Sequence, residues 1–275
     1  METLRPLLKT YAYNICGSLE DAGDIVQDAY LKYLQVDKAH IQDEKAYLVR
    51  MVINLSINRK KKQQAERAAY YGHWLPEPVA TELADGNLRR KEILSYSLMI
   101  LLEKLNPQQR AVFILKEAFN YEHTEIAAVL NITTDYSRQL FSRAKKQLAE
   151  DESKKKKTYA AASLDNYLEM LHSGDISRLE SFLHDEVAIY ADGGGKATAI
   201  KHPLFGRKPV LALLTAIHQK YYAAAQVIPV TVNHYPAIQI FEEGTIASCI
   251  IFDMDDTGLI NNVFVIRNPD KLKNL

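Results

Sequence analysis

The spacing of apolar residues changes once along this chain, and that change limits what it can fold into. Up to about residue 150 the apolar residues recur at helical intervals, and residues 1–68 hold no glycine after Gly23. Beyond residue 158 the texture differs. A helical opening over 159–183 gives way to "VAIYA", "TVNHYPAIQIF", "TIASCIIFDMD" and "LINNVFVIRN", which read as strands, with one further helix over 208–222. The predicted fold class is multidomain, two all-α sections followed by an α+β section. The prolines of "WLPEP" and the polar "ATELADGN" mark 69–90 as a linker between helical sections 1–68 and 91–150. Lys154–Lys157, behind Glu150, Asp151 and Glu152, mark 151–158 as a charged hinge, and 159–275 as the third section.

Composition excludes several classes. With 47% apolar and 25% charged residues, the chain is an ordinary globular one. No apolar run nears the ~18–20 residues of a membrane span, and "METLRPLLKTYAYNI" lacks the marks of an export signal. Cys16 and Cys249 lie far apart without metal-ligand spacing, which points to a reducing cytoplasm, no disulfide, no metal and no cofactor. The net charge of zero hides a cationic excess of four in residues 1–157 and an equal anionic excess in the remainder. A neutral chain has no global field that draws it onto DNA, so a partner would have to supply much of any DNA affinity. "DGGGK", Asp192–Lys196, has the glycines and lysine of a phosphate loop but not its spacing.

The clearest motif is "YEHTEIAAVLNITTDYSRQLFSRAKKQLAE", residues 121–150. Ile126, Ala127, Val129 and Leu130 form one apolar face of a short helix. Asn131 suits the left-handed turn, and Thr133 or Thr134 can cap the next helix. That helix keeps Tyr136, Leu140, Ala144 and Leu148 on one side, with Arg138, Gln139, Ser142, Arg143, Lys145 and Lys146 on the rest. A basic helix after a tight turn can enter a major groove, where Arg and Gln read base edges and Lys holds phosphates. A plain helical hairpin would present the same charges to water. Taken with the preceding "LEKLNPQQRAVFILKEAFNY", the stretch 102–148 resembles region 4 of bacterial sigma factors, departing from it at Asn131 and Asp135. The resemblance implies recognition of a −35 promoter element through Ser137, Arg138, Gln139, Arg143 and Lys146.

In "GSLEDAGDIVQDAYLKYL", Ser18 and Asp21 form a capping signal, and Ile25, Val26, Ala29, Tyr30 and Leu34 are the expected buried positions. Asp24, Gln27 and Asp28 share the exposed face. This acidic face resembles sigma region 2.2, which implies docking on the β′ clamp of core RNA polymerase. "KAYLVRMVINLSINRKKK", residues 45–62, is similar to the family's −10-binding helix, with Tyr47 in place of its tryptophan and Asn58 in place of its aspartate. The resemblance implies a flipped-base pocket formed by Asn54 and the loop 41–45. It also implies strand contacts from Asn58, Arg59, Lys60 and Lys61. Regions 2 and 4 without region 1.1 or 3 is the layout of the extracytoplasmic-function sigma factors. The implied partners are core RNA polymerase, through its β′ clamp and β flap, and promoter DNA at −10 and −35.

The remaining section, opening "DNYLEMLHSGDISRLESFLHDEVAIYADGGG", resembles a SnoaL-like cone domain related to nuclear transport factor two, with Asp165, Met170, Ile176, Leu179 and Phe182 in matching places. "WLPEP", "DGGGK" and "NPDKL" together resemble the signature of sigma factors with such an extension, the sigma-J type. The resemblance implies regulation in cis by Trp74, Pro76, Asp192, Gly193, Gly194, Gly195, Lys196, Asn268, Pro269 and Asp270. The glycines fit a tight hairpin or bulge that another segment approaches closely, and Trp74, the only tryptophan, is the segment expected to approach. The rivals are a small-ligand sensor in the cone, an enzyme using Asp192, His202, His218 or His234, and a helix-turn-helix repressor. A repressor leaves Asp24, Gln27, Asp28 and Asn54 unexplained.

Overall fold

The computed structural model describes residues 2–81, 88–152, 179–222 and 225–275. The described residues fall into two compact units. Those of Met1–Ala68 and Leu83–Lys154 make the first, those of Ala69–Glu82 and Lys155–Leu275 the second. The expected linker 69–90 is therefore divided, its first part belonging with the sheet. The expected helix over 159–178, with Asp165, Met170 and Ile176, and hinge residues 153–158 lie outside the described residues.

The first unit opens with α1 (Arg5–Cys16), α2 (Leu19–Gln35) and α3 (Glu44–Glu66). Gly17 takes φ +76°, a conformation open to a residue without Cβ, and ends α1. Ser18 Oγ then accepts from Asp21 N to start α2, and Asp43 Oδ1 accepts from Ala46 N to start α3. Leu8, Tyr13 and Ile15 pack with Ala22, Val26 and Ala29 and with Leu48, Val52 and Ile53 to form the core. Leu34 is not part of it and stands 60% exposed. Tyr33, one position earlier, continues the stripe of Ile25, Val26 and Ala29 and meets the Tyr47 ring at 6.0 Å.

Among the described residues, four α-helices follow in the unit: α4 (Tyr96–Leu101), α5 (Pro107–Glu117), α6 (His123–Leu130) and α7 (Thr134–Glu152). A capping box between Asn106 and Gln109 starts α5. Asn131 takes φ +54° and ψ +50°, so the chain turns after α6, and Thr133 Oγ1 caps α7 at Tyr136 N. Leu140, Ala144 and Leu148 are buried as expected, but Tyr136 is 37% exposed. The buried residue of that first turn is Ser137, three positions before Leu140, where helical spacing keeps it on the inner stripe.

The second unit is built on a six-stranded sheet of order β2-β1-β6-β5-β4-β3. After α8 (Leu179–Phe182) come β1 (Leu183–Asp192), β2 (Leu204–Phe205), α9 (Arg207–Ile217), β3 (Gln226–Val232), β4 (Tyr235–Glu242), β5 (Thr245–Met254), β6 (Ile260–Ile266) and α10 (Pro269–Leu272). The sheet is mixed: β1 runs parallel to β6 and the other pairings are antiparallel. "TVNHYPAIQIF" is two strands rather than one piece, because Asn233 and His234 take φ +46° and +67° and form the β3–β4 turn. The helix expected over 208–222 is α9 followed by one π-helical turn, His218–Tyr222. Alternate residues of the strands, such as Val187, Ile189, Ile238, Ile240, Ile250, Phe252, Val263 and Val265, cluster with Val210 and Leu214 of α9. At the other end of the sheet the linker pairs with β3. Asn233 N donates to Val79 O at 2.9 Å and Thr81 N to Thr231 O at 2.8 Å, which covers part of an otherwise open edge.

Candidate functional site

β1 ends at Asp192, whose carboxylate is fully buried. A buried carboxylate needs donors on both oxygens, and the linker and α10 provide them. Oδ1 accepts from the Tyr70 hydroxyl at 2.6 Å and from Gly194 N at 3.0 Å. Oδ2 accepts from Leu75 N at 2.8 Å and from the Lys271 ammonium at 2.5 Å. Lys271 also donates to Leu75 O, and its Nζ lies 4.2 Å from the Trp74 ring centroid and 5.2 Å from that of Tyr70. One buried cation thus joins a carboxylate, a carbonyl and two π faces.

The flanking residues tighten this knot. The Asp192 carbonyl accepts from Arg267 N and Asn268 N. Asn268 caps α10 at Asp270 N, and its Nδ2 donates to the Tyr70 hydroxyl at 3.0 Å. Burial, with Asp192 as hydrogen-bond partner, pushes the Tyr70 phenol pKa up. Gly193–Lys196 form the tight turn, closed by Lys196 N and Ala197 N on Gly193 O. A Cβ on Gly194, which sits at φ +59°, would come within 2.3 Å of Asn268 Nδ2, and one on Gly193 within 2.2 Å of Ala197 O. Lys196 pairs with Asp270, and that hydrogen bond lowers the Asp270 carboxyl pKa. Pro76 is buried, while Trp74 is half-buried against Lys271. The structure therefore brings the segments of "WLPEP", "DGGGK" and "NPDKL" together. Sequence reasoning missed Tyr70, Leu75 and Lys271, although Lys271 stands inside the quoted "NPDKL".

The enzyme candidates do not converge. Asp192 is engaged by Lys271, His202 is an exposed loop residue, His218 lies in the π turn and His234 in the β3–β4 turn. A hollow of about 10 Å³ beside Tyr71, Gly193 and Lys201 has room for a single water. Among the described residues no group of three His, Cys, Asp or Glu could hold a metal ion, and no helix is long and apolar enough to cross a membrane.

On the helical unit, Asp24, Gln27 and Asp28 stand exposed along α2, with Leu31, 52% exposed, on the same side. On α3, Asn58 and Lys61 are exposed, while Arg59 Nε is held by Asp21 at 2.6 Å. Asn54 is half-buried, and its Nδ2 donates to Arg50 O at 2.8 Å and to Val129 O of α6 at 3.1 Å. Lys60 departs from expectation. It is fully buried, because its face of α3 packs on the turn Leu102–Lys104, where Nζ meets Glu103 at 2.8 Å and Cys16 O at 3.1 Å. Burial, with Arg110 nearby, pushes its ammonium pKa down to about 7. Burial would raise the Glu103 carboxyl, but Arg110, Lys60 and Arg67 outweigh it and bring the pKa down to about 2. On α7, Arg138, Gln139, Arg143 and Lys146 are exposed, with Arg138 ion-paired to Asp135 at 2.8 Å. Ser137 is the second departure: its hydroxyl is buried against His123 Nδ1 at 2.9 Å, where it cannot reach a base.

A three-helix section with an exposed acidic face, followed by a helix-turn-helix with a basic outer face, is the make-up of a sigma-70-type promoter-recognition factor. Family models for Sigma-70 region 2 and Sigma-70 region 4 match residues 1–66 and 97–148. The chain is 31% identical over 227 residues to the ECF RNA polymerase sigma factor SigJ of Mycobacterium tuberculosis, covering 80% of this chain and 72% of that protein. It is 23% identical over 281 residues to the probable ECF RNA polymerase sigma factor SigI of the same species, covering 98% of this chain and 92% of that one. The crystal structure of Mycobacterium tuberculosis SigJ superposes with a TM-score of 0.78 at 27% identity, covering 99% of this chain and 97% of that one. The chain belongs to the extracytoplasmic-function RNA polymerase sigma factors, and its function is to direct transcription initiation at promoters.

Proposed function

We propose that this sigma factor is governed in cis by its sheet-bearing unit, a SnoaL-like domain, through the knot at Asp192. The observation that carries the reading is the linker's membership of that unit. The chain between α3 and α4 donates Leu75 N to Asp192 and accepts Lys271 through Leu75 O. A linker anchored in this way cannot lengthen freely, so the knot limits how far the two helical sections separate to meet promoter elements. Loosening it changes transcriptional output without altering a polymerase or DNA contact.

In this reading Asp24, Gln27 and Asp28 dock on the β′ clamp. Asn54, Asn58 and Lys61 serve the −10 strand, with Arg59 joining them once released from Asp21. Arg138, Gln139, Arg143 and Lys146 serve the −35 duplex, with a β-flap contact from the same helical section. The protein works in the cytoplasm and catalyses no reaction. Transcription in vitro with core enzyme tests this by comparing the full chain with chains ending near residue 150 and before Asn268. Both truncations remove Lys271 and shift output together. Identical output from all three would rule out control in cis.

A further inference from the structure

Three cations converge on one carboxylate in the helical unit. Glu103 Oε1 takes Lys60 Nζ at 2.8 Å and Arg110 Nη1, while Oε2 takes Lys60 at 2.9 Å and Arg67 Nη1. Arg110 belongs to α5 and is fully buried, with two further hydrogen bonds to Asn14 O at 2.9 and 3.2 Å. Lys60 lies in the last two turns of α3 and Arg67 caps that helix, with the exposed Lys61 and Lys62 between them. Gln64, between them, donates to Leu105 O. Elsewhere along the same helix, the Asn54 amide is taken by the carbonyl of Val129. In each case a group of α3 or of its capping residue is bonded by an oxygen from the following helical section, and for Lys60 and Arg67 that oxygen is anionic.

We infer that Lys60 and Arg67 form a binding site for nucleic-acid backbone phosphate, occupied in the free chain by the Glu103 carboxylate, and that Val129 O likewise covers the Asn54 amide. The inference rests on the reading of Asn54 and the basic end of α3 as the promoter-strand face. A carboxylate with two donor-facing oxygens is a close mimic of a phosphate diester for a lysine and an arginine fork. Withdrawing it takes an anionic partner from both Lys60 and Arg67, beside Lys61 and Lys62, which favours an incoming polyanion. Promoter DNA and Glu103 therefore compete for the same nitrogens. The burial of Lys60, which removes it from the open surface, is then the masked form of the DNA contact read from the sequence.

The test uses the full chain free of polymerase and a random-sequence fluorescent single-stranded DNA oligonucleotide. Glu103→Gln keeps the shape of the side chain and removes its charge. Its affinity for the oligonucleotide rises about tenfold or more at low salt. The slope of log K against log salt steepens by about 1.4, the increment for two extra phosphates on a single strand. Adding Lys60→Met and Arg67→Gln to that variant returns the slope to the wild-type value. Spin labels at Ala39→Cys and Ala128→Cys, both exposed, read the opening as a longer distance. The native Cys16 and Cys249 are fully buried, and burial pushes the Cys16 thiol up to about 12, so neither takes label. Because Glu103 also braces Arg110, Arg67→Gln serves as the second variant; it leaves α4–α7 unaltered and lengthens the same distance. An unchanged distance in both variants, or an unchanged affinity and slope in an opened Glu103→Gln, overturns the inference. Asn54→Ala in the Glu103→Gln background reads the base-pocket assignment separately: unchanged binding there removes that assignment while leaving the phosphate competition standing.

Discussion

Replacing Lys271 with Met keeps the length of the side chain and removes its charge, so packing against Trp74 is largely conserved while Asp192 loses its ammonium partner. The Asp192 side chain is fully buried and that of Lys271 is 11% exposed, so water does little to soften the loss. Breaking a buried ion pair from one side costs about 3–5 kcal/mol, because the other charge stays behind. Here Tyr70 OH, Leu75 N and Gly194 N still hold the carboxylate, which argues for the lower half of that range. Losing the bond to Leu75 O and the ammonium over Trp74 adds roughly 1–2 kcal/mol. A total near 5 kcal/mol, divided by an m-value of about 1–3 kcal/mol/M in urea, lowers the midpoint by roughly 2–5 M. Trp74 is the sole tryptophan, so its fluorescence follows this unit alone. Asp192→Asn paired with Lys271→Met costs less than the two single changes added, since each removes the other's partner. If Lys271→Met left both the Trp74 emission and the midpoint of its transition at wild-type values, the knot would not hold the linker.

Asp24→Lys with Asp28→Lys, both exposed positions with no role in the core, leaves the melting curve in place and abolishes co-purification with core polymerase subunits. Gly194→Ala destabilises the sheet unit by at least 1–2 kcal/mol in urea titrations, since the residue sits at φ +59° against Asn268. Arg143→Ala costs about 1–3 kcal/mol of discrimination at one −35 base pair if it reads a base edge, measured by transcription from single-base promoter variants. Acid titration tests the Glu103 cluster. A carboxyl held at about 2 in the fold against about 4.5 unfolded stabilises fully above the unfolded value, and that contribution is lost as pH falls through about 2. The difference is of order 3 kcal/mol, so Glu103→Gln flattens the acid limb of stability in that window.

What could be read from the sequence was local. Ser18, Asn131 and Thr133 do in the structure what their positions announced, because caps and left-handed turns are decided within a few residues. Asp24, Gln27 and Asp28 lie on an exposed face for the same reason: helical spacing alone puts them there. Lys60 could not be read. In a run of four cations it has the look of a solvated residue, and the partner that buries it, Glu103, lies 43 positions away. Ser137 was misplaced by one position on a helical wheel, where a shift of 100° exchanges core for surface. The division of the linker was hidden as well, since "WLPEPVAT" carries no sign that it pairs with β3. Lys271 escaped for the reason Lys60 did: a charge reads as solvated until the fold supplies its counter-charge.

The wiring of the linker also fixes an order of events. Leu75 waits for Asp192, 117 positions later, and for Lys271, 196 positions later. On a ribosome, both helical modules are therefore complete while the segment between them is still slack. Until Asp192 and Lys271 emerge, that segment lacks the partners that anchor it in the finished fold, so its tethering is the last step of the chain's assembly.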